Sequence, residues 1–158
     1  MSLRVFPGAE CNRIKAAYKL HIALDHDGLI LAFAAVTLGK VGDQSQAKLL
    51  NFHKGSLVVF DRGYNDFKWN NQLTDSRIVW AARIRGSAKY RVVKRYKANK
   101  AQGVTSGQFT ECSSYRSMGN NLRPVRKTGY HDSGTGRRYV FITNHLDWSA
   151  KTVAEIYK

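Results

Sequence analysis

The sequence predicts an α/β chain, a mixed sheet with crossover helices that carries a basic, β-rich stretch in its second half. Three observations predict it. Short apolar runs such as Leu57–Phe60 and Ile78–Ile84 are bounded by polar residues and glycines and read as buried strands. A segment of helical spacing lies between them, and a hairpin signal precedes them at 18–38. From Arg83 to Lys127, twelve Lys or Arg face one acid, Glu111, while apolar residues alternate in short groups between Gly, Ser and Asn.

Residues 4–17, with one Pro-Gly turn and no long periodicity, read as a loop. Tyr18 to Asp25 then alternates Tyr18, Leu20, Ile22 and Leu24 against Lys19, His21 and Ala23, the period-two pattern of a half-covered strand. Asp25-His26-Asp27-Gly28 makes a turn into a second strand, Leu29–Leu38, which completes a hairpin. The same four residues invite a metal reading for Asp25, His26 or Asp27, although ordinary turn chemistry accounts for them. From Ser45 to about Phe52, Ala47 and Leu50 keep helical spacing, with Asp43 available as cap. The run Leu57–Phe60 stops at Asp61 and is broken by Arg62-Gly63, and it is expected at the centre of the sheet. Asn65 or Asp66 can cap a helix carrying Phe67, Trp69 and Leu73 to about Thr74, and Ile78–Ile84 is the next strand.

Short strands with turns are expected between 83 and 137. After the turn at Ser133-Gly134-Thr135-Gly136, Arg138–Thr143 forms one more strand. Gly134-Thr135-Gly136 lacks the spacing, lysine and following helix of a phosphate loop. Asp147 or Ser149 caps a last helix with Val153, Ile156 and Tyr157 on one face, and the chain stops inside it, which reads as truncation.

A chain of 158 residues suffices for one domain with a substantial core. No apolar run approaches the roughly 20 residues that cross a bilayer, and the amino end lacks the apolar stretch of a signal peptide. Cys11 and Cys112 lie far apart without a CxxC partner, so neither a zinc site nor a disulfide framework is indicated, and a reducing, cytoplasmic setting is the default. The formal net charge of +15 favours a polyanionic partner. Residues 1–79 hold ten Lys or Arg against seven acids, whereas residues 80–158 hold sixteen against four, so the excess is local. DNA or another phosphate backbone is the simplest partner; an acidic membrane surface competes poorly, since no basic amphipathic helix is visible. Lys89, Arg91, Lys94, Arg95, Lys97, Arg123, Arg126 and Lys127 are the candidate contacts, interleaved with Tyr90, Tyr96 and Tyr115. A solvated basic face is the competing reading.

Asp61 is the first candidate for chemistry, because the carboxyl end of a strand in an α/β sheet faces a crevice. An aspartate there also serves as a turn former or helix cap.

In order and spacing, YKLHIALDHDG, VVFDRGYNDFKW, YVFITN and the closing AEIYK resemble the catalytic domain of bacterial insertion-sequence transposases of the DDE type, in the group with a YREK signature. The likeness spans nearly the whole chain; DRGY after a buried strand is its most specific part. It implies a partial ribonuclease-H-like core over 4–82, a basic insertion over 83–137, and a returning strand with the start of the C-terminal core helix over 138–158. It makes Asp61 the second of three carboxylates that hold two magnesium ions, both catalytic and metal-binding. The first would fall just upstream of Arg4, Glu10 lying in the loop beyond it, and the third past Lys158. Tyr157 would open the YREK motif and, with Arg62, join the nucleic-acid contacts. The reading is an internal fragment, inactive alone, of a transposase that breaks and joins DNA by two-metal phosphoryl transfer, working on transposon ends and target as a homodimer or synaptic complex. A non-catalytic nucleic-acid-binding module, a decayed remnant, and a hydrolytic nuclease of the same fold are the alternatives.

Overall fold

The structure, a computed structural model, describes residues 18–25, 30–84, 89–113 and 122–157. The chain divides into two compact units, Met1–Leu50 and Asn51–Lys158. The loop expected at 4–17, and His26 and Asp27 of the proposed ligand turn, lie outside the described residues.

In the first unit, β1 (Tyr18–Asp25) and β2 (Ile30–Leu38) form the expected antiparallel hairpin, from Tyr18 opposite Leu38 to Asp25 opposite Ile30. The hairpin is a two-stranded sheet by itself rather than part of the larger one. The alternation is present, but the covered side is the polar one. His21 is buried with Nε2 2.9 Å from Thr37 Oγ1, and Lys19 Nζ donates to Val41 O and Asp43 Oδ1, while Tyr18, Leu20, Ile22 and Leu24 stay exposed. Asp43 is therefore occupied by Lys19 and caps nothing. Gly42 stands at the N-cap of α1 (Asp43–Ala47), with no side-chain cap bond. This helix does not reach Phe52: Leu49 N and Leu50 N bond three residues back, to Gln46 O and Ala47 O, the tighter pattern that closes a helix end.

The second unit is built on β3 (Leu57–Phe60), α2 (Phe67–Asp75), β4 (Val79–Arg83), β5 (Lys89–Tyr96), β6 (Val104–Ser113), β7 (Leu122–His131), β8 (Arg138–Thr143) and α3 (Ala150–Tyr157). Its six strands run in the order β3-β4-β8-β7-β6-β5, with β3 and β4 parallel and every other pair antiparallel. This is the mixed α/β sheet that the sequence predicts. Two expectations fail. Among the described residues β3 is an edge strand, and it is not fully buried, since Leu57 and Val59 are exposed, Val58 is half-buried and Phe60 alone is buried. The basic stretch forms strands of eight to ten residues that continue the same sheet.

Register assigns the two helices to opposite sides. Phe60, Ala82 and Ile142 are neighbours on one side, where Phe60 packs between Trp69 of α2 (5.1 Å) and Trp80 (6.0 Å). Phe141 points the other way, against Val153, Ala154 and Tyr157 of α3. Asp66 Oδ1 accepts Trp69 N at the start of α2, and Ser149 Oγ accepts Thr152 N at the start of α3. Gly103 enters β6 at φ +76, and a Cβ there would stand 2.6 Å from His131 O, the carbonyl of the neighbouring strand end, so only glycine fits.

One side chain joins three elements at the end of the sheet opposite Asp61. Asn144 Oδ1 accepts Trp80 N (2.9 Å), and its Nδ2 donates to Ile78 O (2.9 Å) and Thr74 Oγ1 (3.2 Å). The same Thr74 hydroxyl accepts Trp80 Nε1 and donates to Asn70 O. Asn144→Ala would strand two backbone groups of β4 and its approach, at about 2–4 kcal/mol. Denaturant unfolding should show that loss, and a change below about 0.5 kcal/mol would show that the network is not structural.

Candidate active site

The geometry at Asp61 follows from strand register. With Phe60 opposite Ala82 in the parallel pair, the next residues, Asp61 and Arg83, come side by side. Asp61 leaves the strand with extended backbone and accepts Arg62 N at 2.8 Å through Oδ1, starting the 3-10 turn Arg62–Tyr64. It is thus a turn cap and a strand-end carboxylate at once, its side chain 54% exposed. Tyr157 Oη donates to the same Oδ1 (3.1 Å), and Arg83 Nη1 stands 3.6 Å from it. All three contacts converge on one oxygen, which leaves Oδ2 as the oxygen to offer a ligand.

Both partners of Asp61 are held in turn. The Arg83 guanidinium lies 5.2 Å from the Tyr139 ring, Tyr139 stacks on Phe141 (5.7 Å), and Phe141 packs on Tyr157 (4.8 Å). Asn65 Nδ2 donates to Arg83 O, and Asn65 Oδ1 accepts Asn70 Nδ2, tying the turn after Asp61 to the end of β4. Burial first, and then the Asp61 carboxylate beside it, push the Tyr157 phenol far above its ordinary value, so it remains a proton donor throughout the working range.

A carboxylate oxygen suits a hard divalent ion. Among the described residues, however, no three His, Cys, Asp or Glu side chains come together as a metal site. Asp61 therefore fits as one ligand, with Arg83 supplying compensating positive charge at 3.6 Å.

The structure scatters the basic candidates. A bulge between Val92 and Lys94 in β5 is followed by Lys94 opposite Phe109 and Arg95 opposite Gln108, on opposite sides of the sheet. Lys94, Arg95 and Lys97 are exposed, as are Lys89 and Arg62. Arg91 pairs with Glu111 (2.5 Å) and Arg123 with Asp75 (2.5 Å). Arg126 donates to Leu146 O and lies over the Tyr96 ring (4.9 Å). Lys127, expected on the basic surface, is instead buried at 7% exposure, with Nζ bonded to Gln108 Oε1 and 4.0 Å from the centre of the Tyr90 ring. Tyr157 stands at Asp61 rather than among the basic strands. Sequence reasoning missed Arg83 and Asn65 as partners of the site. The signal for Arg83 was its place near the end of the second apolar run, Ile78–Ile84, with a charge opposite to that of Asp61, which closes the first.

A family model described as transposase DDE domain matches residues 4–158. No curated protein and no solved structure matches the chain.

A phenol whose folded pKa exceeds its unfolded value stabilises the fold below about pH 10, and that contribution fades as pH rises through the folded value. Tyr157→Phe should therefore leave the tyrosinate absorbance gained between about pH 9 and pH 11 unchanged. Loss of one tyrosine's share of the amplitude would refute the Tyr157–Asp61 geometry.

Proposed function

Because the chain belongs to the transposase DDE domain family, whose parent proteins transfer phosphoryl groups on DNA, we propose that Asp61 is the catalytic carboxylate of this segment and binds magnesium through Oδ2. The observation that carries the proposal is an exposed aspartate at the carboxyl end of β3 whose other oxygen is fixed by Tyr157, Arg83 and Arg62 N. A carboxylate oriented in this way offers one oxygen without reorganisation when a ligand arrives. Two magnesium ions, where both are bound, stabilise the attacking and leaving oxygens of an in-line displacement. Tyr157 keeps its proton on Oη and donates it in a hydrogen bond to Asp61 Oδ1, and Arg83 balances the carboxylate's charge in the absence of cation.

The finer assignment, to the insertion-sequence group with a YREK signature, rests on Tyr157 as the first residue of that motif. The basic strand β5 and the residue that follows it are proposed to hold DNA without sequence preference through the exposed Lys94, Arg95 and Lys97, while Arg91, Arg123 and Lys127 serve ion pairs and packing within the protein. Transposon ends and target DNA are the proposed partners, a homodimer or synaptic complex the working assembly, and the cytoplasm the setting. No described helix is long and apolar enough to cross a membrane.

Residues 1–158 alone should neither cleave nor join DNA with magnesium or manganese, because one carboxylate does not define two ion sites about 4 Å apart. In a parent transposase with all three acids, Asp61→Asn should abolish cleavage and leave DNA affinity equal or slightly higher, since a negative charge near the phosphates is removed. Full cleavage by that variant would remove Asp61 from the mechanism. Lys94→Glu, Arg95→Glu and Lys97→Glu together should weaken binding on all sequences alike and flatten its salt dependence. Sequence-independent binding that survives in a chain without cleavage chemistry would favour the binding-module alternative only if Asp61→Asn in the parent were also silent.

A further inference from the structure

Strand direction brings two further basic turns to the end of the sheet that holds Asp61. β4 ends there at Arg83; β8 runs antiparallel to β4 and begins there; β7 ends there, and β6 begins there. The β7–β8 turn (132–137) and the β5–β6 turn (97–103) therefore stand at the Asp61 end, and His131 N donates to Gly103 O, joining one to the other. They bring exposed Arg137, Arg138, Lys97 and Lys100 to this end. The acid of the β7–β8 turn, Asp132, accepts Gly134 N through Oδ1, and its own N donates to Arg137 O, closing the turn with the arginine side chains exposed.

Lateral distance separates the β7–β8 turn from the basic strand already discussed. Arg83, level with Asp61, pairs with Phe141, so Arg138 stands three residues, about 10 Å, beyond that level and two strand spacings, about 10 Å, to the side, roughly 14 Å from Asp61, whereas β5 is five spacings, about 24 Å, to the side. At about 3.4 Å of duplex per base pair, these correspond to roughly four and seven base pairs from a phosphate held at Asp61. Arg138 also directly precedes Tyr139, the ring over which Arg83 lies, so the turn is anchored to the same aromatic cluster that supports the site.

Resting on the reading of Asp61 as the DNA-processing site, we propose that Arg137 at the end of the β7–β8 turn and Arg138 at the start of β8 grip the DNA backbone about four base pairs from the phosphate at Asp61. They position duplex across the strand ends, independently of base sequence. β5, farther along the sheet, holds more distant backbone.

The test is the affinity of residues 1–158 for a fluorescent duplex of about 30 base pairs across about 50–200 mM salt, with thermal melting as the folding control. Arg137→Gln with Arg138→Gln removes two phosphate contacts, so the slope of log affinity against log salt should flatten by about 1.8 and affinity should fall about tenfold near 100 mM. Arg137→Glu with Arg138→Glu should weaken binding further. Lys94→Gln with Arg95→Gln should leave the effect of the turn in place. Unchanged slope and affinity in the turn variants, with binding lost only in the β5 variant, would overturn this proposal while leaving DNA binding intact. No binding by the wild-type chain at low salt would overturn it together with the role of this chain in holding DNA.

Discussion

The fold of the larger unit turns on β4. It is the one strand among the described residues that pairs parallel on one side, with β3, and antiparallel on the other, with β8. A junction of this kind must solve two problems, register on the parallel side and unpaired backbone where the strand begins. Asn144 addresses the second by bonding Trp80 N and Ile78 O from the far end of β8. Thr143 Oγ1 adds a bond to Trp80 O at 2.6 Å. With the start of β4 pinned, its other end delivers Arg83 beside Asp61, and the chemistry of the site becomes a consequence of register rather than of a specialised loop.

Arrangement of charge follows the same economy. An arginine and a carboxylate this exposed contribute little to stability by themselves. Their effect is on orientation, because Tyr157 and Arg62 N fix the same oxygen. On the basic side, tyrosines let cations coexist in a sheet with few acids. Tyr90 lies beneath Lys127, and Tyr96 beneath both Lys94 and Arg126, contacts worth roughly 0.5–2 kcal/mol each. The aromatic residues thus support the cations from within the sheet, in addition to any role they have toward nucleic acid.

Much of the secondary structure was legible because it rests on local signals. The alternation of 18–25, the caps at Asp66 and Ser149, and the strand Arg138–Thr143 are read from neighbouring residues, and each stands where the sequence put it. What was not legible is nonlocal. Nothing in YKLHIALD says which side will be covered, and Lys19 decides it by reaching Asp43, twenty-four residues on. Leu57–Phe60 looks central because it is apolar, yet strand order depends on partners elsewhere in the chain. Lys127 looks like a surface cation until register places it beside Gln108 and beneath Tyr90. At the site, Asp61 was visible as a strand terminus, whereas Arg83 and Asn65 became visible only once two strand ends had been laid side by side.

Position at the edge has a kinetic consequence for Asp61. β5 to β8 form an antiparallel array, β6 and β7 close in sequence, and local pairings of this kind close quickly. β3 is held by four residue pairs, all parallel and reached only after α2 has formed a crossover. Its amides should belong to the earliest-opening part of the sheet. The carboxylate therefore stands on an edge strand that loosens early, and occupancy of its neighbourhood by ligand would be felt as slower local opening long before any change in global unfolding.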